Sequence, residues 1–95
     1  MSIRDDYSFD SVFNEAERLV LDELERQLDQ APASVPRSEE CVLDMACYAL
    51  NLVKPMYRVN LLGRLYADAL MRDNAGEIRD AVSRAINQIS ANPPN

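Results

Sequence analysis

Between Cys41 and Val53, Val42, Leu43, Met45, Ala46, Ala49, Leu50, Leu52 and Val53 cover more than half the circumference of a helix turning 100° per residue. A helix that is apolar over so broad an arc needs cover on two sides, so it belongs at the centre of a bundle or on a seam between copies. The remaining arc gathers Asp44, Cys47, Tyr48 and Asn51 into one stripe. Ser38 is a natural N-cap, Glu39 and Glu40 suit the positive first turn, and Pro55 restrains Lys54, which predicts a helix over 39–53.

The flanking segments are helical too. Phe9, Val12, Phe13, Ala16, Leu19, Val20, Leu24 and Leu28 recur at helical spacing and predict a helix over 10–30, capped by Ser8 or Asp10. It stops at Pro32 and Pro36, which make a stiff connection. Beyond Pro55, Tyr57, Val59 and Leu61 alternate as in a strand, whereas Leu61, Leu62, Leu65, Tyr66, Ala69 and Leu70 fit a helix capped by Asn60. The favoured reading is extended chain to about Val59, then helix to Arg72 with Gly63 weakening its start. Ile78, Ala81, Val82, Ala85, Ile86 and Ile89 predict a last helix over 75–91, whose narrow seam packs either within the monomer or on a symmetry mate. Two glycines in 95 residues argue against hairpins. The expected fold is all-α: a compact four-helix module, dimeric, with a short extended elbow near 55–60. Its expected organisation is an N-terminal arm over 1–9, one helical domain over 10–92 and a tail over 93–95.

Charge narrows the function. The formal net charge is −6, and it resides in residues 1–30, where nine acids face Arg4, Arg18 and Arg26; the remainder balances seven against seven. Such a surface repels a duplex phosphate backbone, and there is no basic recognition helix, so DNA binding is disfavoured. No run of about 18 apolar residues offers a membrane span, and the opening MSIRDDYSFD is too acidic for a secretory signal. A cytoplasmic location is expected. Cys41 and Cys47 lie too far apart on one helix for a local disulfide. Catalysis is not expected: the chain has no histidine, no glycine-rich phosphate loop and no nucleophile elbow.

Against this acidic background, Lys54 to Arg64 carries three cations (Lys54, Arg58, Arg64), Tyr57 and no acid. A small anionic ligand finds its best local field there.

The pattern Cys41-x-x-Asp44-Met45-x-x-x-Ala49-Leu50-Asn51, followed by Pro55-x-Tyr57 and Gly63, resembles the late-competence ComFB family. Agreement extends outward to Asn14-x-x-Glu17 and to Ile89-x-x-Asn92-Pro93, covering most of the chain. The resemblance implies an all-α cytoplasmic module, often dimeric, without catalytic activity, whose members bind either zinc through a cysteine cluster or the second messenger cyclic di-GMP. Zinc fits poorly, because Ser38 stands three before Cys41, where the cluster pattern has a thiol, and two cysteines without histidine fall short of four ligands.

Cyclic di-GMP asks for cations at two phosphates, flat groups against guanine, and carboxylates or amides at its edge. Arg58 and Arg64 can pair with phosphate or lie on a purine face, Lys54 adds a point charge, and Tyr57 can stack. Asp44 can accept from guanine N1 and N2, and Asn51 or Asn60 can meet O6, N7 or the ribose. The expected function is a cyclic di-GMP receptor with no metal or cofactor, acting on a further protein. Each residue also has a structural alternative: Tyr57 as a core-edge aromatic, Arg58 and Arg64 as ion-pair partners of the acidic first helix, Asp44 and Asn51 as caps holding the elbow's backbone. The competing function is a helical dimer that docks another protein through residues 42–53 or 78–89, without nucleotide.

Overall fold

The computed structural model describes residues 1–59 and 63–94, with side chains for 1–59 and 72–94. In chain order the elements are α1 (Ile3–Asp6), β1 (Val12–Asn14), α2 (Glu15–Gln30), α3 (Glu39–Leu52), β2 (Tyr57–Val59) and α4 (Gly63–Ala91). The all-α class stands, with a small two-stranded ribbon added at the elbow.

Three helices share one core. Ala16, Leu19, Val20 and Leu24 of α2 follow one helical stripe and meet Cys41, Met45, Ala46 and Ala49 of α3 and Ile78, Ala81, Val82, Ala85 and Ile86 of α4. Among the described residues, Leu19, Met45, Ile78, Val20 and Val82 are the largest side chains fully withdrawn from water, each worth about 1.5–3 kcal/mol of burial. At about 1.5 Å per residue, the 29 residues of α4 account for most of the 51 Å long axis, against 30 and 18 Å across.

The helix boundaries change in detail. Helix α2 begins at Glu15 rather than near residue 10, because Val12–Asn14 pairs as a strand and Asn14 supplies the cap. Phe9 and Val12 consequently stay 51% and 39% exposed instead of joining the core. The last two predicted helices are one, since α4 runs through Asp73–Gly76 without a break, and a Cβ at Gly76 would meet only the Arg79 guanidinium, at 3.8 Å. The short α1 buries nothing. Helix α3 packs against both α2 and α4, as its broad apolar arc requires, while Leu43 is 58% exposed and Asp44, Cys47 and Asn51 on the opposite stripe are exposed.

The connections are fixed by side chains. Ser38 Oγ accepts from Cys41 N at 3.2 Å and starts α3. Arg37 donates to the carbonyls of Leu28 (2.6 Å), Ala31 (3.1 Å), Pro32 (3.2 Å) and Val35 (2.8 Å), so one guanidinium closes the C-terminal end of α2 and its proline connection. Gln27 Nε2 donates to the Arg79 carbonyl at 3.1 Å and its Oε1 accepts from Ser83 Oγ at 3.0 Å, joining α2 to α4.

Candidate functional site

The elbow is built by the two residues that open α2. Asn14 Oδ1 accepts from Ala16 N at 3.1 Å, capping the helix, and from Met56 N at 2.7 Å, pinning the elbow 42 residues away. Glu15 N donates to the Met56 carbonyl at 2.8 Å. The two bonds at Met56 lead into the register in which β1 and β2 pair antiparallel: Val12 with Val59, Phe13 with Arg58, Asn14 with Tyr57. Pro55 favours the extended approach to that pairing.

Strand alternation then divides the predicted ligand residues. Tyr57 and Val59 point to one face of the ribbon and are 69% and 51% exposed; Arg58 points to the other. There its guanidinium lies 5.2 Å from the centre of the Phe13 ring and donates to Glu15 Oε2 at 3.0 Å. Arg18, half exposed, pairs with Glu15 Oε1 and reaches Asp22 at 3.4 Å. Burial alone pushes the Glu15 carboxyl up, but hydrogen bonds and charge from Arg18 and Arg58 outweigh it and hold the carboxyl below its ordinary range. Arg58 is therefore the counter-ion of a buried carboxylate, with only 18% of its side chain exposed.

The other predicted site residues distribute as follows. Lys54 is exposed on the elbow, ahead of Tyr57 in the chain. Asp44 and Asn51 are both exposed on the outer stripe of α3, and the cap role considered for them, holding the elbow's backbone, is filled by Asn14 instead. That role needs an acceptor beside Met56, which the start of α2 provides. Asn60 lies outside the described residues, and Arg64 sits in the first turn of α4 with its side chain outside them. Cys41 is buried in the core while Cys47 faces water.

Sequence reasoning passed over Glu15 and treated Phe13 as helix core. The available signal was Asn14-Glu15 placed directly before the first residue of the buried stripe, Ala16; the other half of the motif lies some 40 residues downstream and has no local signature.

The family model described as "Late competence development protein ComFB" matches residues 13–93, from the ribbon to the end of the last helix. The chain belongs to the ComFB family. Its fold is similar to that of the late competence protein ComFB from Bacillus subtilis, with a TM-score of 0.72 at 22% identity over 88% of this chain and 93% of that one. No curated protein sequence matches significantly. The ComFB match begins at Phe13, so the partners of the elbow, Asn14 and Glu15, fall inside the family unit, whereas α1 lies before it.

Proposed function

We propose that this ComFB-family chain is a non-catalytic receptor for cyclic di-GMP, binding the nucleotide at the elbow and relaying occupancy to a protein partner. One observation carries the reading: Tyr57 is 69% exposed on a ribbon whose backbone is fixed at Met56. An aromatic ring open to water on a strand whose backbone is fixed is a stacking platform on which a base can settle without reordering the chain. Lys54 is exposed close by in sequence, and the acid-free run to Arg64 supplies charge for phosphate. In this reading Arg58 acts from behind the ribbon. Its bond to Glu15 and its contact with Phe13 hold the strand that carries Tyr57, and Asp44, Asn51, Asn60 and Arg64 remain candidates for contacts around the guanine and phosphates.

Isothermal titration with cyclic di-GMP tests the proposal. Binding by the wild-type chain, selective over linear and adenine analogues, and weakened about tenfold or more by Tyr57→Ala, is the expected result; loss of one stacked base is worth about 1–3 kcal/mol. No heat at tens of micromolar folded protein sinks it. Tyr57→Ala is the better probe than Arg58→Ala, because the latter strips a buried carboxylate of a partner and mixes folding with binding.

A second reading, a helical module that docks protein without nucleotide, rests on the open side of α3. There Leu43 is 58% exposed and Leu50, one heptad on, is half-buried at the core's edge. If that side forms the seam of a dimer, Leu43→Glu lowers the sedimentation-derived mass to that of a monomer, and in this reading neither wild type nor variant gives heat with cyclic di-GMP.

A further inference from the structure

The C-terminal half of α2 and the start of α3 enclose an open groove of about 350 Å³. Leu21, Leu24, Leu28 and Val42 form its floor, and Glu25 and Asp29 stand along its rim. Leu21 and Leu28 are one heptad apart on α2, about 10 Å along the axis, and Leu21 is 44% exposed although it lines an apolar floor. Arg37 walls one end, but its guanidinium is turned to the carbonyls of Leu28, Ala31, Pro32 and Val35.

We infer that this groove docks a basic amphipathic helix of a partner protein, with aliphatic side chains at i, i+3 or i+4 and i+7 on the floor and Lys or Arg against Glu25 and Asp29. The floor has the spacing that receives such a helix, since residues seven apart on both helices stay in phase. Charge selects the occupant. Glu25 and Asp29 sit at i and i+4 on one flank of α2, in the stretch of chain that carries the whole net charge of −6. A second copy presenting its own α2 brings like charge, as do the arm with Asp5, Asp6 and Asp10 and an anionic lipid surface. None of these residues belongs to the elbow, so the inference stands or falls independently of nucleotide binding.

The test uses a fluorescent 18-residue peptide of leucine and lysine in heptad array, its leucine–glutamate counterpart, and a scrambled leucine–lysine sequence, titrated by anisotropy near physiological salt. The protein variants are Glu25→Lys/Asp29→Lys, Leu21→Ser, and Asp5→Lys/Asp6→Lys, the last carrying the same charge change on exposed α1. The expected result is saturable binding of the heptad peptide, weakened at least tenfold by the rim reversal, several-fold by Leu21→Ser, and less than twofold by the arm reversal. Amide shift changes should centre on residues 21–29 and 42. Equal weakening by the arm reversal, equal binding of the scrambled or glutamate peptide, or no binding at about millimolar protein overturns the inference. Leu21→Ser keeps it falsifiable should the rim variant fail to fold, since circular dichroism identifies a folded protein whose floor alone is changed.

Discussion

Helix α2 buries two glutamates, and they are neutralised in different ways. Glu23 takes its hydrogen bonds within its own helix, from Arg26 one turn on at 2.6 Å and Gln27 at 2.7 Å, with the more distant charge of Arg79 on α4 adding to them. Glu15 shares the same local device through Arg18 but takes a second cation from Arg58, 43 residues away on β2. The local pair supports a helix that the core already fixes. The long-range pair ties down the strand end of an elbow that is anchored in the core at Val53 and Met56 but carries Tyr57 and Val59 largely exposed. A buried charge is here a means of positioning rather than of stabilising for its own sake.

That contrast breaks if the two pairs respond alike to removal of the cation. Arg58→Ala leaves Glu15 buried with Arg18 alone and should destabilise the chain by about 2–3 kcal/mol, somewhat under the range for a buried ion that loses its only partner. Arg26→Ala should have a clearly smaller effect, since Arg26 is half exposed and Gln27 continues to bond Glu23. Urea denaturation at neutral pH measures both. A larger loss for Arg26→Ala would show that the elbow is not held through Glu15.

The caps extend the comparison at lower amplitude. Ser38 satisfies one backbone donor of its own helix, whereas Asn14 satisfies one of its own and one from the elbow. Ser38→Ala should therefore cost about 1 kcal/mol, and Asn14→Ala about 2 kcal/mol, because Met56 N–H also loses its acceptor. Faster hydrogen exchange at Met56 in Asn14→Ala, with the α3 amides unchanged, would tie the extra loss to the elbow. Equal losses for the two variants would mean that water replaces Asn14 at Met56 without penalty.

The same division explains what the sequence could reveal. Ser38 and Pro55 bracket α3 with local chemistry, and its observed span of Glu39–Leu52 falls within a residue of the reading from those signals. The start of α2 was misplaced because Phe9, Val12 and Phe13 fit a helical phase as well as a strand, and the deciding partners, Met56 and Arg58, lie on another part of the chain. The elbow itself was legible as basic and aromatic. Its two faces were not, because whether Tyr57 and Arg58 act together depends on strand alternation, and alternation had to compete with a helical pattern over the same residues. The two apolar patterns that end at Arg72 and restart at 75 read as two helices, yet α4 runs through the join without a break, with Ile78 and the residues after it packed in the core.

The smallest effect should emerge on mild acidification. Both glutamates have folded pKa values below their ordinary value of 4.5, so the unfolded chain takes up these protons first. Their contribution is complete above that ordinary value and fades as pH falls through it towards the folded pKa values. The urea midpoint of the wild-type chain should hold steady from neutrality to about pH 5.5 and then decline. The two sites differ in cause: at Glu15 burial is the largest influence and acts upward, while at Glu23 the Arg26 hydrogen bond is the largest and acts downward. Removing Arg58 should thus let burial raise Glu15 and flatten the acid decline, so that the wild-type and Arg58→Ala curves approach one another as pH falls. Parallel curves down to pH 4 would show that Arg58 contributes nothing to the ionisation of Glu15, and the elbow would then be held without that ion pair, by Asn14, the strand pairing and the packing of Val53 and Met56.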